Sequence, residues 1–410
     1  MSLDALTRSG PSVESEQRRS PAWLSIGSLA IGGFAIGTTE FVSMGVLPQI
    51  AADVHATIPA AGHLITAYAL GVVVGAPMLA MLGARLARKT QLLLLICGIA
   101  VGNLLSALAP SYDTLLVARF LSGLPHGAYF GVGGVVAASL VAPERRGRAM
   151  SNMMLGLTIA NIVGVPISTL LGQSLGWRST YWAVTVIAAV TAIAIARNVP
   201  YVPAHDGANI RSELTALRRM QVWLTLITGA IGFGGFFAVY SYITPTLTEV
   251  SHYKLVAVPI VLSLFGVGMT IGNVVGGRLA DWSIPGAIYI GLSSVIATLL
   301  VFTHTAHSLI AAGATVFVLG GTGSLMIPAL QTRLMDAAHH GQNLAGSLNH
   351  SALNLANALG AFLGGLVIAQ GYGYTAPAVV GAALATGGIG VFTVAVLTAR
   401  RTQRAAPSLG

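Results

Sequence analysis

Charge is what this chain lacks most. Only 8% of its 410 residues are Asp, Glu, Lys or Arg, against roughly 25% in an average soluble domain. So few charges cannot clothe a water-facing surface, which excludes a soluble enzyme, a disordered chain and a nucleic-acid-binding domain. Cysteine is nearly absent too. Cys97 stands alone inside an apolar run, so no internal disulfide can form. No Gly-Lys-Ser/Thr element is present to cradle a triphosphate, which argues against ATP as a direct energy source. His304-x-x-His307 and His339-His340 lack acidic or thiol companions, so neither reads as a metal site, and no cofactor is expected.

What the chain has instead is apolar length. Hydrophobic residues make up 54%, and the 50 glycines sit inside apolar runs with no collagen-like period, the habit of packed membrane helices. A spanning helix needs about 20 mostly apolar residues. Runs of that length lie near 23–48, 59–82, 91–111, 114–140, 149–173 and 178–196, and again near 222–247, 255–280, 285–303, 308–330, 343–369 and 375–398. The runs are continuous rather than alternating, so a β-barrel is excluded. The expected fold is an all-α integral membrane protein of twelve transmembrane helices.

The net charge of +9 is explained by position. The first 21 residues are polar, carry Arg8, Arg18 and Arg19, and contain no small-residue cleavage site, so the first span reads as an uncleaved anchor. Arg85, Arg88 and Lys89 follow the second span; Arg145, Arg146 and Arg148 follow the fourth. Arg197, Arg211, Arg218 and Arg219 fall in the middle loop, Arg278 and Arg333 end the eighth and tenth spans, and Arg400, Arg401 and Arg404 lie in the tail. Only Arg178 and Lys254 remain for the other side. The positive-inside rule then puts both termini in the cytoplasm of a multi-pass plasma-membrane (inner-membrane) protein.

The polar stretch between Arg197 and Gln221 divides the spans six and six. The expected organisation is a tail (1–21), a six-helix bundle (22–198), a linker (199–220), a second bundle (221–399) and a tail (400–410). The halves echo each other. Ala160-Asn161-Ile162-Val163-Gly164 recurs as Ala356-Asn357-Ala358-Leu359-Gly360 at an offset of 196; Gly176-Trp177 as Gly371-Tyr372 at 195; Gly83-Ala84-Arg85-Leu86-Ala87 as Gly276-Gly277-Arg278-Leu279-Ala280 at 193. The near-constant offset argues for duplication, and two such halves around a midplane cavity are the plan of an alternating-access carrier.

Several loops are more specific. Pro143-Glu144-Arg145-Arg146-Gly147-Arg148-Ala149-Met150-Ser151, Gly176-Trp177-Arg178, Arg119-Phe120-Leu121-Ser122-Gly123 and Gly277-Arg278-Leu279-Ala280-Asp281 resemble motifs of the major facilitator superfamily. Thr38-Thr39-Glu40-Phe41 resembles the sugar-efflux and chloramphenicol-resistance branch of its twelve-helix drug:proton antiporters. The resemblance covers residues 22–398 and implies two six-helix pseudo-repeats. The chain departs from the pattern in two places: Ala84 stands where the family usually has aspartate, and Gly164-Val165-Pro166 where many antiporters have adjacent Gly-Pro.

Of the acids Asp4, Glu14, Glu16, Glu40, Asp53, Asp113, Glu144, Asp206, Glu213, Glu249, Asp281 and Asp336, only Glu40 falls well inside a span. An unpaired carboxylate there costs on the order of 3 kcal/mol by insertion scales, which marks Glu40 as a proton-coupling candidate; a packing role, satisfied by Thr38, Thr39 or an arginine, is the alternative. His126 and Arg119 of the fourth span join it as tuning groups, with Thr39 expected to hydrogen-bond the carboxylate. At 1.5 Å per residue, Glu40 and His126 are expected within about 5 Å in depth, with Arg119 about 6 Å nearer the outside than Glu40. Asn349, His350, Asn354 and Asn357 make the eleventh span polar on one face. Candidate substrate contacts are Thr39, Phe41, Tyr129, Phe233, Phe236, Phe237, Tyr240, Asn354 and Asn357. By resemblance, Asp281 forms a gate with Arg146 or Arg148 at the start of the fifth span, and Arg85 marks the matching loop of the first half.

The function expected is a proton-coupled exporter of small organic compounds, a phenicol-type drug or a sugar, and not an enzyme. The expected partners are the substrate, protons and the lipid bilayer, with no nucleic acid and a monomeric chain. Two alternatives stand beside it: a nutrient uptake symporter on the same fold, and a non-transporting sensor or scaffold. Duplication at a constant offset further predicts two bundles related by a pseudo-two-fold axis along the membrane normal, with the first helix matched to the seventh and the fifth to the eleventh.

Overall fold

The structure, a computed structural model, describes residues 21–203, 218–338 and 342–405, with 342–347 and 402–405 described in backbone only. Nearly all of the expected N-terminal tail, most of the linker and the last five residues lie outside it, together with Arg8, Arg18, Arg19, Asp4, Glu14, Glu16, Asp206, Arg211 and Glu213.

The described residues are helical. The spans are α1 (Ala22–Gly45, extended by Leu47–Asp53), α2 (Ile58–Leu82), α3 (Arg88–Leu108) and α4 (Tyr112–Gly123 then His126–Ser139). Next come α5 (Arg146–Ile159, a wide π turn Ala160–Gly164, then Val165–Leu175) and α6 (Arg178–Asn198). The second half has α7 (Met220–Gly232 then Gly234–Tyr240), α8 (Val258–Trp282), α9 (Ile284–Thr305), α10 (Leu309–Ser324 then Ile327–Ala338), α11 (Gln342–Ala369) and α12 (Ala376–Ala405). Local chemistry sets several starts. Thr57 caps α2 by accepting from Ala60 N, Ser111 and Thr114 form a capping box on α4, and Ser283 caps α9 through Gly286 N.

Eleven helices among the described residues are long and apolar enough to cross a membrane. The twelfth span is α4, expected as one run and found in two pieces. Pro125 explains the difference: it has no N–H for the carbonyl of Leu121, and its ring crowds that carbonyl.

Packing repeats in the two halves. α1 lies against α5 and α6 as α7 lies against α11 and α12; α2 meets α4 as α8 meets α10; α3 meets α6 as α9 meets α12. Glycines permit the tightest crossings. A Cβ on Gly156 of α5 would lie 1.8 Å from the carbonyl oxygen of Ala30 in α1, and one on Gly360 of α11 would lie 2.4 Å from that of Gly234 in α7. The halves touch through α2 with α11 and α5 with α8.

Arg85, Arg145, Arg146, Arg148 and Arg278 are exposed at one end of the bundle, the basic end. There Lys89 Nζ donates to the carbonyl of Ala196, and the backbone N–H of Arg88 donates to that of Val202. At the opposite end Thr244 Oγ1 of the α7 segment donates to the carbonyl of Met44, tying the halves together. The one ion pair among the described residues is also there, Arg178 to Asp53, with Trp177 Nε1 donating to the same carboxylate at 3.1 Å. The Arg178 guanidinium holds the Asp53 carboxyl below the usual carboxylate range.

Gly156→Val is therefore expected to destabilise the folded protein in detergent by at least the roughly 1–3 kcal/mol of an overpacked core. Gly147→Ala, with nothing within 4 Å of the added carbon, should change little. Thermal unfolding of the two variants beside the parent checks this, and equal melting would remove the close-approach argument.

Candidate functional site

The site is built around the middle of α1. Thr38 Oγ1 turns back to the carbonyl of Phe34 at 2.8 Å, within its own helix. Thr39 and Glu40 are successive residues, so they project about 100° apart around the helix and meet different neighbours.

Thr39 faces Arg119, which is completely buried in the first piece of α4. Arg119 Nη1 donates to Thr39 Oγ1 and Nη2 to the Thr39 carbonyl, each at 3.0 Å. Its guanidinium carbon lies 4.4 Å from the ring centre of Tyr68 in α2 and 5.2 Å from that of Tyr181 in α6. An isolated cation in a low-dielectric interior is costly. Here a carbonyl, a hydroxyl and two π faces offset that cost, and desolvated cation–π contacts reach about 2 kcal/mol or more. Arg119 Nε has no partner. Thr39 Oγ1 passes its own proton to Asn103 Oδ1 at 2.6 Å, and Asn103 Nδ2 donates to Ser122 Oγ and the Ile99 carbonyl. Tyr181 is fixed in turn by Ser43 Oγ at 2.9 Å.

Glu40 is 7% exposed, the one buried acid among those described. Among the described residues it has no cation within 4.0 Å, yet it interacts electrostatically with Arg119, Tyr68 and Tyr240. One expectation needs correction. Thr39 does not hydrogen-bond Glu40, because its hydroxyl is taken up by Arg119 and Asn103.

His126 opens the second piece of α4, and its Nδ1 is 3.0 Å from Tyr68 Oη. Tyr68 thus touches both Arg119 and His126. Across the half-to-half boundary the His126 ring lies 6.1 Å from that of His350 in α11, and Phe130 stacks on His350 at 5.3 Å. Asn354 Nδ2 donates to the His350 carbonyl. The Oδ1 atoms of Asn349 and Asn354, and both side-chain polar atoms of Asn357, are buried without partners, as is Oδ1 of Asn161, the repeat mate of Asn357.

The aromatic residues of α7 form a buried stack. Phe233, Phe236 and Phe237 lie with centroids 4.9–5.3 Å apart. Tyr240 stacks on Phe265 of α8 at 3.8 Å. Phe41 reaches this cluster from the first half, 6.3 Å from Phe237 and 5.8 Å from Tyr240. Phe41 and Tyr240 therefore share the Glu40 neighbourhood, whereas Phe233 and Phe236 stand behind them. Tyr129 is placed elsewhere, inside the first half, with its hydroxyl donating to the Leu29 carbonyl at 3.0 Å. Asp281, Arg85, Arg146 and Arg148 are all exposed, and among the described residues none forms an ion pair.

Sequence reasoning missed Tyr68, Tyr181 and Asn103 as members of the site. They carry no charge, so insertion cost does not flag them. Asn103 alone, a polar residue inside an apolar run, left a usable signal.

Comparison with known proteins agrees with this architecture. Residues 29–349 match the profile of the Major Facilitator Superfamily. The Inner membrane transport protein YdhP of Escherichia coli (strain K12) is 42% identical over 358 residues, covering 87% of this chain and 92% of that protein. The Chloramphenicol resistance protein of Streptomyces lividans is 32% identical over 351 residues, 85% of this chain and 88% of its own. Among solved structures, a bacterial homologue of the human lysosomal transporter Spinster, in an inward-facing and unoccupied conformation, superposes with a TM-score of 0.68 at 14% identity. That match covers 92% of this chain and 95% of the homologue.

The geometry of Arg119 makes a testable demand. Arg119→Lys keeps the charge but loses the two-pronged hold on Thr39 and the flat contact with both rings. It is expected to lower thermal stability by about 1.5–3 kcal/mol, the range for a lost hydrogen bond to a charged group. Tyr181→Phe keeps the ring and should be milder. A lysine variant as stable as the parent would show that charge alone matters.

Proposed function

This chain belongs to the major facilitator superfamily, and we propose that it is a proton-coupled exporter of small organic compounds working by alternating access. It is a multi-pass membrane transport protein. The finer reading rests above all on Glu40, a buried carboxylate without a partner cation, next to a buried arginine committed to a neighbouring residue. A scaffold gains nothing from such a group, whereas a carrier that must take up and release a proton needs one.

In this reading Glu40 is the proton carrier. When it is charged, the unpaired carboxylate and the Arg119 guanidinium together attract a polar substrate. A proton arriving from outside neutralises Glu40, weakens that attraction and favours release, so export is coupled to proton entry. Arg119 tunes the site through the Thr39 carbonyl, and His126 communicates with it through Tyr68. Phe41, Phe237, Tyr240, Asn354 and Asn357 supply apolar faces and amide groups to the substrate, with Phe233 and Phe236 supporting the rings. The bundles 22–198 and 221–399 rock as units, and Asp281 engages Arg146 or Arg148 when the basic end closes, opposite the loop of Arg85. The chain works as a monomer in the inner membrane, with both termini in the cytoplasm and no catalytic step. The relationship to a chloramphenicol resistance protein favours a phenicol-like or sugar-like cargo.

The test is Glu40→Gln in inverted vesicles with an imposed proton gradient, combined with substrate binding at pH 6 and pH 8. Gradient-driven export should fall to the rate seen without a gradient, and binding should lose its pH dependence. Retained gradient-driven export with unchanged pH dependence would reduce Glu40 to a packing residue. Accumulation on the opposite side of the membrane would make the protein an uptake symporter.

A further inference from the structure

Two backbone carbonyls at the boundary between the halves lack the donor that a regular α-helix supplies four residues on. Pro77 lies inside α2 and has no N–H to return to Val73; Pro166, just after the π turn of α5, has none to return to Ile162. In each case a serine of the other half takes the place of the missing donor. Ser351 Oγ of α11 donates to the Val73 carbonyl at 3.3 Å, and Ser263 Oγ of α8 donates to that of Ile162 at 3.0 Å. Gly266 permits the second approach, since a Cβ there would lie 2.5 Å from the Asn161 carbonyl oxygen.

The two contacts sit at different levels. Val73 is nine residues from the basic end of α2 and Ser351 nine from that of α11, about 14 Å at the helical rise. Ser263 is five residues inside the opposite end of α8 and Ile162 thirteen inside that of α5, about 8 and 20 Å. One contact therefore guards the boundary towards the basic end and the other guards it towards the opposite end. They are not copies of one ancestral contact. At the repeat offsets Ser263 aligns with Leu70 and Ser351 with Leu155. Each half carries its own serine facing a carbonyl of the other that lies four residues before a proline.

We propose that Ser351 and Ser263 are opposed positioning residues for transport, each stabilising closure of its own side by capping a carbonyl that its proline has left free. Parting α2 from α11 at the basic end uncovers the Val73 carbonyl. Parting α5 from α8 at the opposite end uncovers that of Ile162. Water answers an uncovered carbonyl once its side has opened, so each serine stabilises the closed side by the net worth of its hydrogen bond, at a carbonyl that the proline has left without its regular helical donor. The proposal rests on the alternating-access reading but not on its proton or substrate. Failure of Glu40 as the carrier would leave it standing.

The experiment is double electron–electron resonance on the full chain in lipid nanodiscs, in a Cys97→Ser background. Spin labels go on cysteines at the exposed positions Leu86 and Thr332 for the basic end, and Ala52 and Val256 for the opposite end. Ser351→Ala should raise the population with the basic end open, and Ser263→Ala the population with the opposite end open. The expected change is roughly threefold each, about 0.6 kcal/mol, the average measured for an interhelical side-chain hydrogen bond in a membrane. Ser→Thr at either position keeps the hydroxyl and should match the parent. In Pro77→Ala the carbonyl regains a helical donor, so Ser351→Ala should then have little effect; Pro166→Ala should do the same for Ser263→Ala. Shifts of the same sign, unchanged distances, or full serine effects in the proline-free backgrounds would each overturn the proposal.

Discussion

Hydrocarbon offers no hydrogen bonds, and the rest of this structure follows from that constraint. Every polar group within the spans must find its partner in the protein, or else stay unpaired at a cost that only function would maintain. Most side chains solve the problem locally. Thr38, Thr169, Thr191 and Thr225 each donate to a carbonyl one turn back in their own helix. Arg119 cannot do so, and it draws α1, α2, α4 and α6 together around a single guanidinium. The residues left unsatisfied then stand out by contrast: Glu40 without a cation, Asn357 with a whole amide unpartnered, Asn161 with half of one.

The sequence carried the fold almost completely because membrane helices are read from long-range composition. Twelve apolar runs, the basic loops and the constant offset between repeats were all visible without coordinates. The break in α4 was not, although Pro125 was in plain view. Proline inside an apolar run does not lower hydropathy, so the run reads as continuous. The site was legible only in part. Glu40 and Arg119 declare themselves by charge, whereas the residues that hold Arg119 are uncharged, and their role depends on which faces of α2, α3 and α6 turn inward. The aromatic run of α7 shows the opposite difficulty. Its composition suits either a binding surface or a packed core, and the contacts with Phe265 place Phe236 and one face of Tyr240 against the core.

The same constraint separates the two kinds of contact between the halves. At the opposite end, Thr244 on the Met44 carbonyl and Phe41 against Phe237 and Tyr240 join the bundles through both polar and apolar groups. The broadest contact between the bundles is α2 against α11, and α5 lies against α8; each carries a serine hydroxyl on a backbone carbonyl of the other half. Packing of this kind suits two bodies that must separate on alternate sides without unfolding either one.

The ion-pair inventory has a consequence for the surroundings of the protein. Arg85, Arg145, Arg146, Arg148 and Arg278 crowd one end, and among the described residues no carboxylate there pairs with any of them. Glu144, Asp281 and Asp336 are exposed at the same end but are fewer than its basic residues, so the remaining balance comes from salt or from the phosphates of neighbouring lipids. The headgroups thereby act as a missing counter-charge, and the lipid mixture becomes a variable in the protein's own energetics. A neutral detergent strips away the lipid anions that offset the excess positive charge of that end.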